Sequence, residues 1–167
     1  MKHPRLSLIE DEVRLPDGSR ARYLRFDDKG LSTVTVIARR ADGKILLQQE
    51  YSYPLNKKLW QLPGGHVQTN ETPARAANRE LQEESGFKAG SLKSLGYFLV
   101  NNRRSAARVQ VYLATALQEK SLAGDREEDI DSFWFSARDI TSLIKAGKII
   151  NTYFLAAWSL YINHPMK

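Results

Sequence analysis

The segment from Gly65 to Phe87 restricts this chain more than any other, because it sets an acidic cluster between a helix start and a helix stop. Gly64-Gly65 opens a polar loop. Thr72 followed by Pro73 predicts a helix start, since a threonine hydroxyl can accept from an orphan N–H and proline suits the first helical position. The helix runs to about Ser85 and stops at Gly86, a residue suited to a left-handed cap. On it Glu80 and Glu84 are one turn apart with Glu83 beside them, so three carboxylates share a face. Like charges at this spacing destabilise a helix by roughly 0.2–0.5 kcal/mol per pair. Arg79 offsets part of that through its i,i+4 neighbour Glu83. Two readings follow: a solvated acidic face, or a site for a divalent cation, where hard oxygen ligands favour magnesium or manganese.

The surrounding residues separate the two. Gly65, Glu71, Arg79, Glu80, Leu81, Glu83, Glu84, Gly86 and Phe87 stand at the spacing Gly, five residues, Glu, seven residues, Arg-Glu, aliphatic, any, Glu-Glu, any, Gly, apolar. In this the chain resembles the Nudix family. The resemblance implies an α/β fold: a Nudix α/β/α sandwich with a mixed β-sheet and an N-terminal β-hairpin. It also implies metal-assisted hydrolysis of a phosphoanhydride, with Mg2+ as cofactor and Mn2+ as substitute. Carried over position by position, Glu80 and Glu84 become the principal metal ligands and Glu83 a further ligand or water-holder. The Gly64 carbonyl completes the coordination, and Arg79 orients Glu83. Gly65 and Glu71 structure the loop, with Glu71 tying it to the helix. The general base is expected on a later acidic loop, at Glu127 or Glu128, or else at Glu83.

Composition narrows the classes left. Hydrophobic residues make up 42% and charged residues 26%, as in ordinary globular proteins. At 167 residues the chain is expected to be one domain, residues 1–167, with residues 1–30 as a hairpin region. The absence of cysteine excludes disulfides, thiolate catalysis and zinc–thiolate sites. No apolar run reaches signal-peptide or membrane-spanning length, so a cytoplasmic protein without membrane contact is expected. The net charge of +6 is spread over pairs such as Arg39-Arg40, Lys57-Lys58 and Arg103-Arg104. Such pairs suit a pocket for phosphorylated small molecules better than a continuous nucleic-acid track.

In chain order, residues 6–13 and 19–26 read as strands around Pro16-Asp17-Gly18, with imperfect alternation that suits an edge or interface hairpin. Asp27-Asp28-Lys29-Gly30 reads as a second turn. Residues 32–38 and 44–49 are expected to form a stronger hairpin around Asp42-Gly43. The segment from Glu50 to Pro63 resembles the ADP-ribose pyrophosphatase and nucleoside-diphosphate-sugar branch. Tyr51, Tyr53 and Trp60 either offer a nucleobase a stacking face or serve as core or interface aromatics. Residues 94–100, 109–114 and 130–135 read as strands, and residues 137–146 and 151–162 as helices. In the polar loop 101–106, Arg103 and Arg104 suit phosphate. The chain has Gly64-Gly65 where that branch has Ala-Gly, and lacks its proline about fifteen residues beyond the box.

The expected activity is therefore hydrolysis of a nucleoside diphosphate linked to a second group, of ADP-ribose or nucleotide-sugar type. It yields a nucleoside monophosphate and the phosphorylated second group. The alternatives are pyrophosphohydrolysis of noncanonical nucleoside triphosphates or of RNA 5′ ends, and a non-catalytic Nudix ligand sensor. The expected partners are a small nucleotide substrate and a second copy of the chain, a homodimer joined through the N-terminal hairpin.

Overall fold

The computed structural model describes residues 7–27, 32–123 and 130–165. The first hairpin forms as β1 (Leu8–Arg14) and β2 (Arg20–Phe26), paired antiparallel as a two-stranded sheet of its own. Cross-strand ion pairs lace it: Arg20 with Glu12 at 2.6 Å, and Arg25 with Asp11 at 2.5 Å. The Asp27–Gly30 turn lies almost wholly outside the described residues.

The second expected hairpin does not form a ladder. β3 (Ser32–Ala38) joins a four-stranded mixed sheet, whereas β4 (Ile45–Ser52) joins a three-stranded antiparallel one, and a single bridge between Arg39 and Ile45 links the turn. The reason is that both edges of β3 are taken. β6 (Gly64–His66) pairs on one side, antiparallel, and β8 (Arg108–Glu119) on the other, parallel. β7 (Phe87–Leu99) completes this sheet, while β5 (Lys57–Gln61) and β9 (Ile130–Phe135) flank β4. A short 3-10 turn, Tyr53–Leu55, connects β4 to β5.

Three other expectations need amendment. Gly64-Gly65 begin a short strand before the loop. β7 starts at Phe87, directly after the helix, because Gly86 reverses the chain into it. β8 runs on to Glu119 because Phe87 pairs with that residue.

Helix α1 (Pro73–Ser85) has the expected ends. The Thr72 hydroxyl accepts from Arg75 N–H at 3.3 Å, and Gly86 caps with φ 76° and its N–H on the Gln82 carbonyl. α2 (Ala137–Lys145) starts on a reciprocal Ser136–Asp139 cap, and α3 (Thr152–Asn163) on Asn151. The helices divide by the pleat of β3, whose neighbouring side chains point to opposite faces. Val34, Val36 and Ala38 pack with Leu46 against Ala76, Ala77 and Leu81 of α1. Ile37 packs with Ile45, Leu47 and Leu62 against Ile140 of α2 and Phe154, Ala157 and Trp158 of α3. The two small alanines of α1 let that helix lie close on the sheet. The sandwich therefore has α1 on one side, α2 and α3 on the other, and an apolar core on each.

Candidate active site

The site is built where β6 meets α1. β6 lies against the start of β3, with Gly64 opposite Thr35 and Gly65 opposite Val34. There is no space for a side chain at either glycine. A Cβ at Gly64 would sit 2.2 Å from the Val34 carbonyl oxygen, and one at Gly65 would sit 2.4 Å from Oε1 of Glu80. The Glu80 carboxylate thus occupies the position a side chain at residue 65 would take. On the same strand the Gly64 N–H donates to Oε2 of Glu84 at 3.2 Å. The backbone of Glu84 is itself held, since its carbonyl accepts from the buried Gln48 amide at 3.3 Å.

Arg79 organises the remaining acids. Its Nε and Nη2 donate to the two oxygens of Glu71 at 3.0 and 3.1 Å, a bidentate fork. Nη1 reaches Glu83 at 2.7 Å and Glu80 at 2.9 Å, and Nη2 also donates to the His66 carbonyl at 2.9 Å. Glu71 closes the loop by accepting from Gln68 N–H at 3.1 Å. The helix face is therefore less self-repelling than charge counting alone suggests, because one guanidinium serves two of its three carboxylates, Glu80 and Glu83, besides Glu71 of the loop. These bonds hold the Glu71 carboxyl below its ordinary value, with the Arg79 hydrogen bond the largest cause. The same bonds push Arg79 up.

The donors here are all oxygen, which suits a hard divalent cation rather than a thiophilic one. Glu80 and Glu84 flank the glycine strand, within reach of its backbone. Among the described residues no three acidic or histidine side chains already converge at ligating separation. The geometry supplies the reason: Arg79 draws Glu80 and Glu83 toward itself. The residues fit a cation in chemistry, with Arg79 as the competitor for two of them.

Beside the glycine strand lies a cavity of about 210 Å³ lined by Thr33, Thr35, Gln61, His66, Asn151 and Tyr153. Of these, the sequence offered a signal only for Gln61 and His66, which sit beside or inside the box. Asn151 and Tyr153 arrive from the start of α3, where the Asn151 amide donates to the Trp60 carbonyl at 2.5 Å. Gln61 is held by Glu50, whose carboxyl burial pushes up.

The other candidates lie elsewhere. Tyr51 shares the β4 face with Ile45 and Leu47, and its hydroxyl donates to Asn56 at 2.6 Å. Tyr53, in the 3-10 turn, is 85% exposed. Trp60 packs edge-on against Phe133 and Phe135, as a core aromatic. Arg103 and Arg104 engage the hairpin instead of the glycine strand. The Tyr23 hydroxyl donates to the Arg103 carbonyl, Arg104 Nη1 donates to the Leu24 carbonyl at 2.7 Å, and its guanidinium lies 5.2 Å from the Tyr23 ring centre. Glu127 and Glu128 fall outside the described residues.

Comparison with known proteins places this geometry in context. The NUDIX domain model matches residues 30–157. An ADP-ribose pyrophosphatase of Mycobacterium tuberculosis (strain ATCC 25618 / H37Rv) is 29% identical over 153 residues, covering 90% of this chain and 73% of the relative. A methanol dehydrogenase activator of Bacillus methanolicus is 28% identical, covering 88% of this chain and 80% of the relative. An ADP-ribose pyrophosphatase of Bacillus subtilis (strain 168) is 27% identical, covering 86% and 78%. Among solved structures, an ADP compounds hydrolase superposes with TM-score 0.89 at 21% identity, over 97% of this chain and 87% of that one. This last likeness speaks to the fold.

Proposed function

The chain belongs to the Nudix family, and from that premise we propose that it hydrolyses a nucleoside diphosphate carrying a second group, of ADP-ribose or nucleotide-sugar type. The products are a nucleoside monophosphate and the phosphorylated second group. Relatives named for ADP-ribose hydrolysis support the substrate class. The observation that carries the reading is the pair of carboxylates on the glycine strand: Glu80 fills the space at Gly65, and Glu84 accepts from Gly64 N–H.

Glu80, Glu84, Glu83 and the Gly64 carbonyl would hold a divalent cation, Mg2+ with Mn2+ as substitute. Such a cation neutralises diphosphate charge and activates water when bound. Gly64 N–H fixes one oxygen of Glu84 beside the glycine strand. Arg79 keeps Glu83 in place and, with Glu71, ties the loop to the helix. The water-activating base is assigned to Glu127 or Glu128, or to Glu83 if neither reaches the site. Tyr51, Tyr53, Arg103 and Arg104 are assigned to substrate binding. For the two arginines, which stand beside the hairpin, that role goes with a homodimer in which the hairpin meets a second copy. We read residues 1–167 as one domain and the protein as cytoplasmic; no helix among the described residues is long and apolar enough to cross a membrane.

Glu84→Gln keeps an acceptor for Gly64 N–H but removes the charge, and Glu83→Gln removes the charge beside it. Each is expected to lower turnover on the order of 10²-fold. Melting temperature in chelator should stay unchanged. A panel of nucleotide sugars and ADP-ribose, with product phosphates identified, reads both turnover and substrate. Near-wild-type turnover in both variants, or full activity after exhaustive chelation, overturns the assignment.

A further inference from the structure

The cavity beside the glycine strand presents polar groups that the fold leaves unbonded. Gly64 and Gly65 line it and also carry the contacts to Glu84 and Glu80, so whatever fills it sits one short strand from the carboxylates. Thr35 is 4% exposed, and its hydroxyl makes no hydrogen bond among the described residues. A buried hydroxyl without a partner is costly, and no side-chain oxygen or nitrogen among the described residues is sealed from solvent in that state. The Thr35 hydroxyl therefore opens onto the space that Thr35 lines. The side-chain polar groups of Thr33, His66 and Tyr153, which line it too, also have no hydrogen-bond partner among the described residues. Gln61 Nε2 donates to Glu50, and the Gln61 carbonyl oxygen takes no part in that bond. Asn151 is fixed by its cap on Phe154 N–H and its bond to the Trp60 carbonyl, so the wall that α3 supplies is held in place.

We propose that this cavity binds the sugar of the second group and so selects a sugar-bearing diphosphate, an inference that rests on the hydrolase reading above. Each sugar hydroxyl both donates and accepts, and the threonine hydroxyls and the Gln61 amide can answer in both senses. The Tyr153 ring, 42% exposed and edge-on to Phe98 at 5.9 Å, offers an apolar face to the C–H side of a sugar ring. At about 30 Å³ per water, a cavity of about 210 Å³ takes a furanose or pyranose ring. Two other occupants fit less well. A triphosphate tail needs cationic partners, and no lysine or arginine is among the described residues that line the cavity. A nucleobase hydrogen-bonds only in its own plane, whereas these groups come from β3, β5, β6 and α3.

The test compares kcat/KM of the full chain for ADP-ribose, for ADP-glucose and for the methyl ester of ADP, which keeps the adenosine and the diphosphate but has no sugar beyond them. Wild type is expected to favour at least one sugar compound over the methyl ester by about tenfold or more. Thr35→Val should lower the value for that sugar compound about tenfold more than the value for the methyl ester. Its melting temperature should not fall, because the hydroxyl it removes has no partner in the fold. Tyr153→Ala, at a more exposed position, should narrow the same ratio, and it decides alone if Thr35→Val does not fold. Equal values for sugar compounds and methyl ester in wild type overturn the sugar site and leave the hydrolase reading standing. So do variants that lower all three values alike, which assigns the cavity to the shared nucleoside diphosphate. Hydrolysis of none of the three overturns the hydrolase reading and the sugar site with it.

Discussion

Arg79 is the residue on which the site turns, for a reason of geometry rather than charge count. A guanidinium presents five donors in a rigid plane, and here they reach Glu71, Glu80, Glu83 and a backbone carbonyl. Arg79→Ala leaves three half-buried carboxylates without their common partner. Exposed pairs are worth about 0–1 kcal/mol and broken buried ones about 3–5, so a loss of about 1–3 kcal/mol is expected in urea unfolding. Lysine should not restore it, since one ammonium cannot bridge three acids. The effect depends on pH in a defined sense. The Glu71 carboxyl lies below the usual glutamate range in the folded protein, chiefly through its hydrogen bond from Arg79. Its contribution is therefore fully present above about pH 4.3, the usual unfolded value, and is lost as pH falls through the folded one. Unfolding titrations below about pH 4.5 should show a shallower acid decline in Arg79→Ala than in wild type. Parallel declines would show that Glu71 draws nothing from the pair.

At the scale of elements, β6 is three residues long, yet it positions the whole site. Its two glycines are needed for space, since neither has positive φ. They differ in what fills that space. At Gly64 the obstacle is the backbone of β3, which cannot retreat without opening the ladder. Gly64→Ala is expected to cost about 1–3 kcal/mol by overpacking. At Gly65 the obstacle is the Glu80 carboxylate, the end of a flexible side chain. Gly65→Ala should leave the melting temperature within a few degrees of wild type while turnover falls about tenfold or more. Comparable melting and turnover effects in both variants would contradict this division between strand packing and carboxylate placement.

Over the whole molecule, the N-terminal hairpin stands apart from both larger sheets and is tied back through the loop at Arg103–Arg104. It leaves Leu8, Tyr23 and Leu24 at 40–56% exposure. In the proposed homodimer this surface is covered. Light scattering at micromolar concentration should report a dimer, and removal of residues 1–26 should produce a monomer with weakened substrate affinity. A monomeric wild type, or a fully active dimer after the deletion, would place the interface elsewhere or remove it.

Local chemistry was legible in the sequence where a few neighbouring residues decide it. The ends of α1 followed from Thr72-Pro73 and Gly86, because capping and backbone reversal depend on the residues at those positions. The order of acids along the box followed as well, because a helix turns a spacing into a face. Which strand lies beside which was not legible. Residues 32–38 and 44–49 carry good hairpin chemistry around Asp42-Gly43, yet β3 pairs with β6 and β8 instead, and an edge can be claimed only once. The carboxylate filling the space of Gly65 and the single guanidinium serving three acids likewise appear only when β6 and α1 are brought together. So do Asn151 and Tyr153, which reach the glycine strand from the far end of the chain. Spacing along one element is a property of the sequence; contact between elements is decided by which apolar faces bury one another, and that is the work of tertiary structure.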